Sequence, residues 1–141
     1  MPVLKFDYLP DVIKDATGKV SGYIFRPKVN VKLGYAHQIS RFSVDCLVDS
    51  GADYNLFPAG WGRLMGIPIE KGKYKKLYGI GRSELIAYRH NVLVYIGSHI
   101  ISTTVDFNND QTVPLLGRNG FFDRFRRVSF YDQQQYMKLD V

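Results

Sequence analysis

With a single cysteine, Cys46, in 141 residues, the chain can form no intrachain disulfide and no multi-cysteine metal site. No histidine lies beside Cys46 in the sequence, so it reads as a small apolar core residue rather than a nucleophile. Histidine is nearly as scarce. His37, His90 and His99 stand apart, without the spacing of a ligand set, and neither a metal nor another cofactor is expected. No apolar run reaches membrane-spanning length, and the stretch from Met1 to Asp7 has no apolar signal segment, so the expectation is a cytoplasmic protein with no membrane partner. An extended basic tail is also missing, although the net charge is +6. Lys71, Lys73, Lys75 and Lys76 form one short cluster and Arg124, Arg126 and Arg127 another, and both read as solvated faces. The Tyr and Phe residues are scattered through strand-like stretches where core packing explains them, so nucleic acid is not an expected partner.

What remains is strand-rich. The length suits one domain with a real core but is short for two lobes. Val3 to Tyr8 reads as a short terminal strand, 10–18 as a turn-rich stretch, and 23–33 as a long strand interrupted near Pro27. A turn at 34–38 leads into 39–48, and 55–65 reads as one irregular helical turn ahead of Gly66-Ile67-Pro68. Tyr78-Gly79-Ile80-Gly81 sits between strand-like arms over 73–88, the pattern of a hairpin with a glycine tip. A Gly-x-Gly of this kind lacks the third glycine and the following helix of a dinucleotide loop. Gly97-Ser98 separates two further strands. In 117–125, Phe121, Phe122 and Phe125 are spaced three and four apart, which predicts a short C-terminal helix, and a final hairpin turns at 132–135.

The chemistry concentrates at Leu47-Val48-Asp49-Ser50-Gly51-Ala52-Asp53. Phe42, Val44, Cys46 and Val48 alternate with Ser43, Asp45, Leu47 and Asp49, a period-two strand that delivers Asp49 to a tight turn. Gly51 permits close approach of another backbone or a substrate, and the Ser50 hydroxyl can bond a neighbouring main chain. Asp49-Ser50-Gly51-Ala52-Asp53 resembles the Asp-Thr/Ser-Gly-Ala signature of the retropepsin-like aspartic proteases. Val113-Pro114-Leu115-Leu116-Gly117-Arg118-Asn119 is similar to that family's second element, two apolar residues and a glycine followed by Arg-Asn. The likeness covers roughly residues 24 to 131. It implies an all-β fold: a retropepsin-like closed β-barrel of the acid protease type, with one short C-terminal helix and a flap hairpin.

The resemblance also implies roles. Asp49 would be the catalytic carboxylate, Ser50 and Gly51 its loop support, and Gly51, Ala52, Asp53, Gly79 and Ile80 the contacts to an extended polypeptide substrate. Arg118 stands where the family places an arginine that pairs with the carboxylate at Asp53. Aspartic protease chemistry needs two carboxylates, one ionised to take a proton from water and one protonated to polarise the scissile carbonyl. This chain has one such motif, since Asp15-Ala16-Thr17-Gly18 carries an extra residue, follows no apolar strand and reads as a hairpin turn. The expected route to a second carboxylate is therefore a homodimer related by a twofold axis. A catalytically inactive retropepsin-like interaction module is the alternative, and a basic strand-rich nucleic-acid binder a third reading.

Overall fold

The computed structural model describes residues 2–79, 81 and 83–141. In chain order its elements are β1 (Val3–Asp7), β2 (Leu9–Lys14), β3 (Val20–Arg26), β4 (Lys28–Tyr35), β5 (Gln38–Ile39), β6 (Val44–Val48) and β7 (Leu56–Pro58). A short helix α1 (Ala59–Leu64) follows, then β8 (Lys73–Tyr78), β9 (Glu84–Ile96), β10 (His99–Asn108), β11 (Leu115–Leu116), β12 (Arg127–Tyr131) and β13 (Tyr136–Asp140). Strands β4, β6, β11, β7, β10 and β9 pair in that order, and β9 returns to β4, closing a barrel; β5 and β8 extend it on either side. Closure removes the free edges that an open sheet would offer to other chains.

The alternation of the sequence fills this barrel. Val29, Val31 and Leu33 of β4 point inward and are essentially inaccessible, as are Cys46 and Val48 of β6 and Val105 and Phe107 of β10. Burial pushes the Cys46 thiol well above its ordinary range, with the neighbouring Asp45 charge adding to the effect, so it is a packing residue. Pro27 breaks the long strand expected over 23–33 into β3 and β4, which belong to different sheets. The segment expected to be turn-rich, 10–18, is a strand as far as Lys14, and only its second half turns. There the Asp15 carboxylate accepts the Thr17 hydroxyl at 2.6 Å and the Lys19 amide at 3.0 Å.

The helix lies elsewhere than expected. Residues 117–125 hold only a 3-10 turn, Phe122–Arg124, because Gly120 has φ +111° and Phe121 sits at φ −130°, outside helical geometry. The aromatic stripe is nonetheless inward: Phe121 and Phe125 are buried with ring centroids 5.1 Å apart. The six-residue α-helix is α1, where the irregular turn was expected. A helix this short has little hydrogen-bond cooperativity, and packing holds it. Trp61 stacks on Phe57 at 4.9 Å, and Gly62 lies so close to Phe107 that a Cβ there would come within 2.9 Å of its ring.

Outside the barrel, β1, β13 and β12 form a three-stranded sheet that brings the two ends of the chain together, and the Val141 amide donates to the Pro2 carbonyl at 3.0 Å. Strands β2 and β3 form a separate two-stranded ribbon. Among the described residues no helix is long and apolar enough to cross a membrane.

Candidate active site

Asp49 follows the last residue of β6, and its position is set by a crossing of loops. β6 runs parallel to β11, with Leu47 opposite Leu115 and Val48 opposite Leu116. The Leu47 amide donates to the Pro114 carbonyl at 2.9 Å, the Val48 amide to Pro27 at 2.9 Å and the Asp49 amide to Leu116 at 3.0 Å. Two strands from opposite parts of the chain thus grip the backbone leading into the carboxylate. Beyond it the turn closes on itself: the Gly51 amide donates to Asp49 Oδ1 at 2.8 Å and the Ala52 amide to the Asp49 carbonyl at 3.1 Å. One carboxylate oxygen is therefore oriented by the protein, and the residue is half-buried between an apolar strand and an exposed turn at Ser50 and Gly51.

The second motif locks onto the first through main chain. Gly117 lies where a Cβ would be 2.4 Å from the Tyr54 carbonyl oxygen and 2.8 Å from that of Ala52, so only glycine fits. The Arg118 amide donates to the Ala52 carbonyl at 2.9 Å, and the Asp53 carbonyl accepts both the amide and the side-chain Nδ2 of Asn119, at 2.8 and 2.9 Å. Asn55, which sequence reasoning passed over, completes the lock from within the core. Fully buried, it accepts the Gly117 amide at 2.9 Å and donates to the Thr104 carbonyl at 3.0 Å. Its only trace in the sequence is a polar residue heading the apolar Leu56-Phe57 strand.

The expected Asp53–Arg118 ion pair is not formed. Both side chains are exposed and border one open cavity with Phe122, and no contact within 4.0 Å joins them among the described residues. Backbone bonds tie the two motifs instead. The buried pair lies behind the site instead. Arg89 of β9 donates through Nε and an Nη to both carboxylate oxygens of Asp106, at 2.7 and 2.9 Å, with the Asp106 side chain wholly inaccessible. The outer face of the same guanidinium lies 4.5 Å from the centre of the Tyr54 ring. Neither residue carried a signal in the sequence, because β9 and β10 bring them opposite each other only on pairing.

A cleft of about 300 Å³ opens over Asp49. Gly51, Ala52 and Asp53 border it on the side of the Asp49 turn, and Tyr54, Leu56 and Leu115 add largely apolar wall. The β8–β9 hairpin contributes Leu77, Tyr78, Gly79 and Leu85 from the other side. Of the expected substrate contacts, Gly51, Ala52, Asp53 and Gly79 thus meet in one cleft with Asp49, while Ile80 lies outside the described residues. Gln111 also borders the cleft and was not anticipated. A larger cavity of about 560 Å³, bordered by Ser40, Arg41, Phe42 and Met65, holds no carboxylate. Among the described residues no three His, Cys, Asp or Glu side chains cluster as metal ligands would.

A closed β-barrel in which an Asp-Ser-Gly turn is gripped by an apolar-apolar-Gly strand defines a class of architecture, and solved structures give it a name. The chain is similar to a retropepsin-like aspartic protease from Rickettsia conorii, with a TM-score of 0.63 and 18% identity over 98% of this chain and 91% of that one. Similarity also extends to EIAV protease complexed with the inhibitor HBY-793, with a TM-score of 0.49 and 21% identity over 66% of this chain and 82% of that one. No protein-family model matches the sequence, and no curated protein matches it significantly. From the first of these likenesses, the chain has the retropepsin-like fold.

Proposed function

We propose that this chain is one half of a homodimeric aspartic endopeptidase. The observation that carries the reading is Asp49 itself, a carboxylate fixed at the end of a buried strand, with one oxygen bound by the Gly51 amide, bordering a cleft walled by leucines. Two copies related by a twofold axis would bring their Asp49 carboxylates within hydrogen-bond reach. Two like charges so close repel, so the reaction would run with one carboxylate ionised and the other protonated. The ionised member takes a proton from a water as its oxygen attacks the peptide carbonyl, and the protonated member donates to the carbonyl oxygen as charge develops there. Collapse of the tetrahedral intermediate breaks the C–N bond: the leaving amine takes the proton that water gave up, and the proton given to the carbonyl oxygen returns to its carboxylate, restoring the dyad.

The substrate would lie as an added strand between the Asp49 turn and the β8–β9 hairpin, which acts as a flap, with Gly79 bonding peptide main chain. Leu56, Leu77, Leu85 and Leu115 favour apolar side chains on the substrate. No cofactor enters this scheme.

The test is cleavage of denatured mixed polypeptides between pH 4 and 7, beside an Asp49→Ala control and with a statine-like tetrahedral mimic as inhibitor. Expected is cleavage that the control lacks and the mimic blocks. Equal cleavage in both samples marks a contaminant, and no cleavage by a verified dimer assigns the chain to the inactive interaction module.

A further inference from the structure

Closure of the barrel through β9 and β4 leaves β8 outside it, at one end of the sheet, and β8 carries most of the lysine cluster that the sequence assigned to a solvated face. At about 3.3 Å per residue the strand offers ~20 Å of extended chain. It bonds to β9 on one side only. From Lys73 to Tyr78 no other strand pairs with it among the described residues, so the amides and carbonyls of its other side have no strand partner. Lys73 and Lys75 project from one face, opposite Arg89 and Ala87, while Tyr74 and Lys76 project from the other, opposite Tyr88 and Ile86. On that second face Tyr74 is 51% and Ile86 45% exposed. The neighbouring carboxylates are already taken: Glu84 by Lys76 at 3.2 Å, Asp106 by Arg89 and Glu70 by Arg63. Lys71, Lys73 and Lys75 meet no carboxylate within 4.0 Å among the described residues, and neither they nor Tyr74 border the Asp49 cleft.

We infer that the β8 edge is a docking site for an acidic, extended segment of another polypeptide, which adds to the sheet as a further strand. The open main-chain groups supply the hydrogen bonds of strand addition, and these accept any sequence. Charge makes the choice. Lysines on an edge turn away basic and neutral strands, the usual way a protein guards a free edge, but the same charges attract an acidic one. A guard needs no apolar surface beside it, yet Tyr74 and Ile86 present one on the opposite face. Because side chains alternate along a strand, the pattern of the occupant follows: carboxylates at every second position beside Lys73 and Lys75, and apolar residues between them beside Tyr74 and Ile86. A single-stranded nucleic acid would use the same lysines and stack on Tyr74, but would leave the open main-chain edge unused. Docking here involves neither Asp49 nor a second copy of the chain.

The experiment is fluorescence anisotropy on the full chain with a labelled, amide-capped peptide, Glu-Val-Glu-Val-Glu-Val. Compared with it are the blocked isomer Glu-Glu-Glu-Val-Val-Val, which has the same charge without alternation, the basic peptide Lys-Val-Lys-Val-Lys-Val, and oligothymidylate. The alternating acidic peptide should bind at least tenfold tighter than the blocked isomer, and salt should weaken it. Alternate amides of 73–78 should gain protection from hydrogen exchange when it is bound. The double variant Lys73→Glu/Lys75→Glu should bind it at least tenfold more weakly and take up the basic peptide instead, a gain that a misfolded chain would not show. Equal binding of the two acidic isomers, no binding of either, or a double variant indistinguishable from wild type overturns strand docking at this edge. Oligothymidylate that binds more tightly and displaces the peptide makes nucleic acid the occupant and overturns it too. Displacement by the statine-like mimic would put the peptide in the Asp49 cleft, and the edge site is then wrong.

Discussion

Gly117→Ala tests the central structural claim, that the second motif works by letting two backbones touch. The added Cβ would lie 2.4 Å from the Tyr54 carbonyl oxygen, 2.6 Å from its carbon and 2.8 Å from the Ala52 oxygen. All three are main-chain atoms, so no side chain can swing aside. Relief requires the 52–54 loop and the β11 end to separate, at the ~1–3 kcal/mol typical of overpacking. Separation also stretches the Gly117 amide bond to Asn55 and the Arg118 amide bond to Ala52. Leaving buried Asn55 under-satisfied adds about 1–3 kcal/mol, for a combined loss of about 2–6 kcal/mol. With a urea m-value of about 1–3 kcal/mol/M, the midpoint should fall by roughly 2 M at fixed protein concentration, followed through Trp61 fluorescence. Gly60→Ala is the internal control. Nothing lies within 4 Å of its Cβ position in α1, so it should be neutral or stabilise by up to ~1 kcal/mol. Equal midpoints for Gly117→Ala and wild type would refute the close-contact account of the second motif.

Other outcomes follow from the same geometry. Arg89→Met should cost about 3–5 kcal/mol by leaving the Asp106 carboxylate buried without its partner, whereas Arg118→Ala should shift stability by less than about 0.5 kcal/mol in the monomer; thermal unfolding of the pair checks both, and the reverse ranking sinks the assignment of the buried ion pair. Because burial raises the Cys46 thiol, it should stay unreactive toward a disulfide reagent at pH 8 in the native protein and react in full once urea unfolds the chain; fast native labelling would show that β6 opens. Asp15 is held below its usual carboxylate range chiefly by the Thr17 hydroxyl, so its bonds support the β2–β3 turn above the unfolded carboxylate pKa and are lost as pH falls through the lower folded one; the protection factors of the Thr17 and Lys19 amides, after division by intrinsic exchange, should fall below about pH 4 and stay level above it.

The sequence by itself determined what short-range physics writes into a chain. Alternation of size and polarity marked β4, β6 and β10 because a pleated strand turns successive side chains to opposite faces, and Asp49-Ser50-Gly51 was legible because a strand, an acid and a glycine need only their neighbours to make that turn. The pattern also identified Phe121 and Phe125 as core residues, but not their conformation, since the positive φ of Gly120 comes from docking against β10, where its carbonyl accepts the Thr103 hydroxyl at 2.6 Å. Tertiary structure alone decided which distant residues meet. It set Gly117 against the Tyr54 carbonyl and Asn55 beneath both motifs. It also gave Arg89 to Asp106, left Arg118 unpaired with Asp53, and set the lysines of β8 along an open sheet edge. Those contacts depend on strand register across tens of residues, and register is set by the closure of the whole barrel rather than by any local run of sequence.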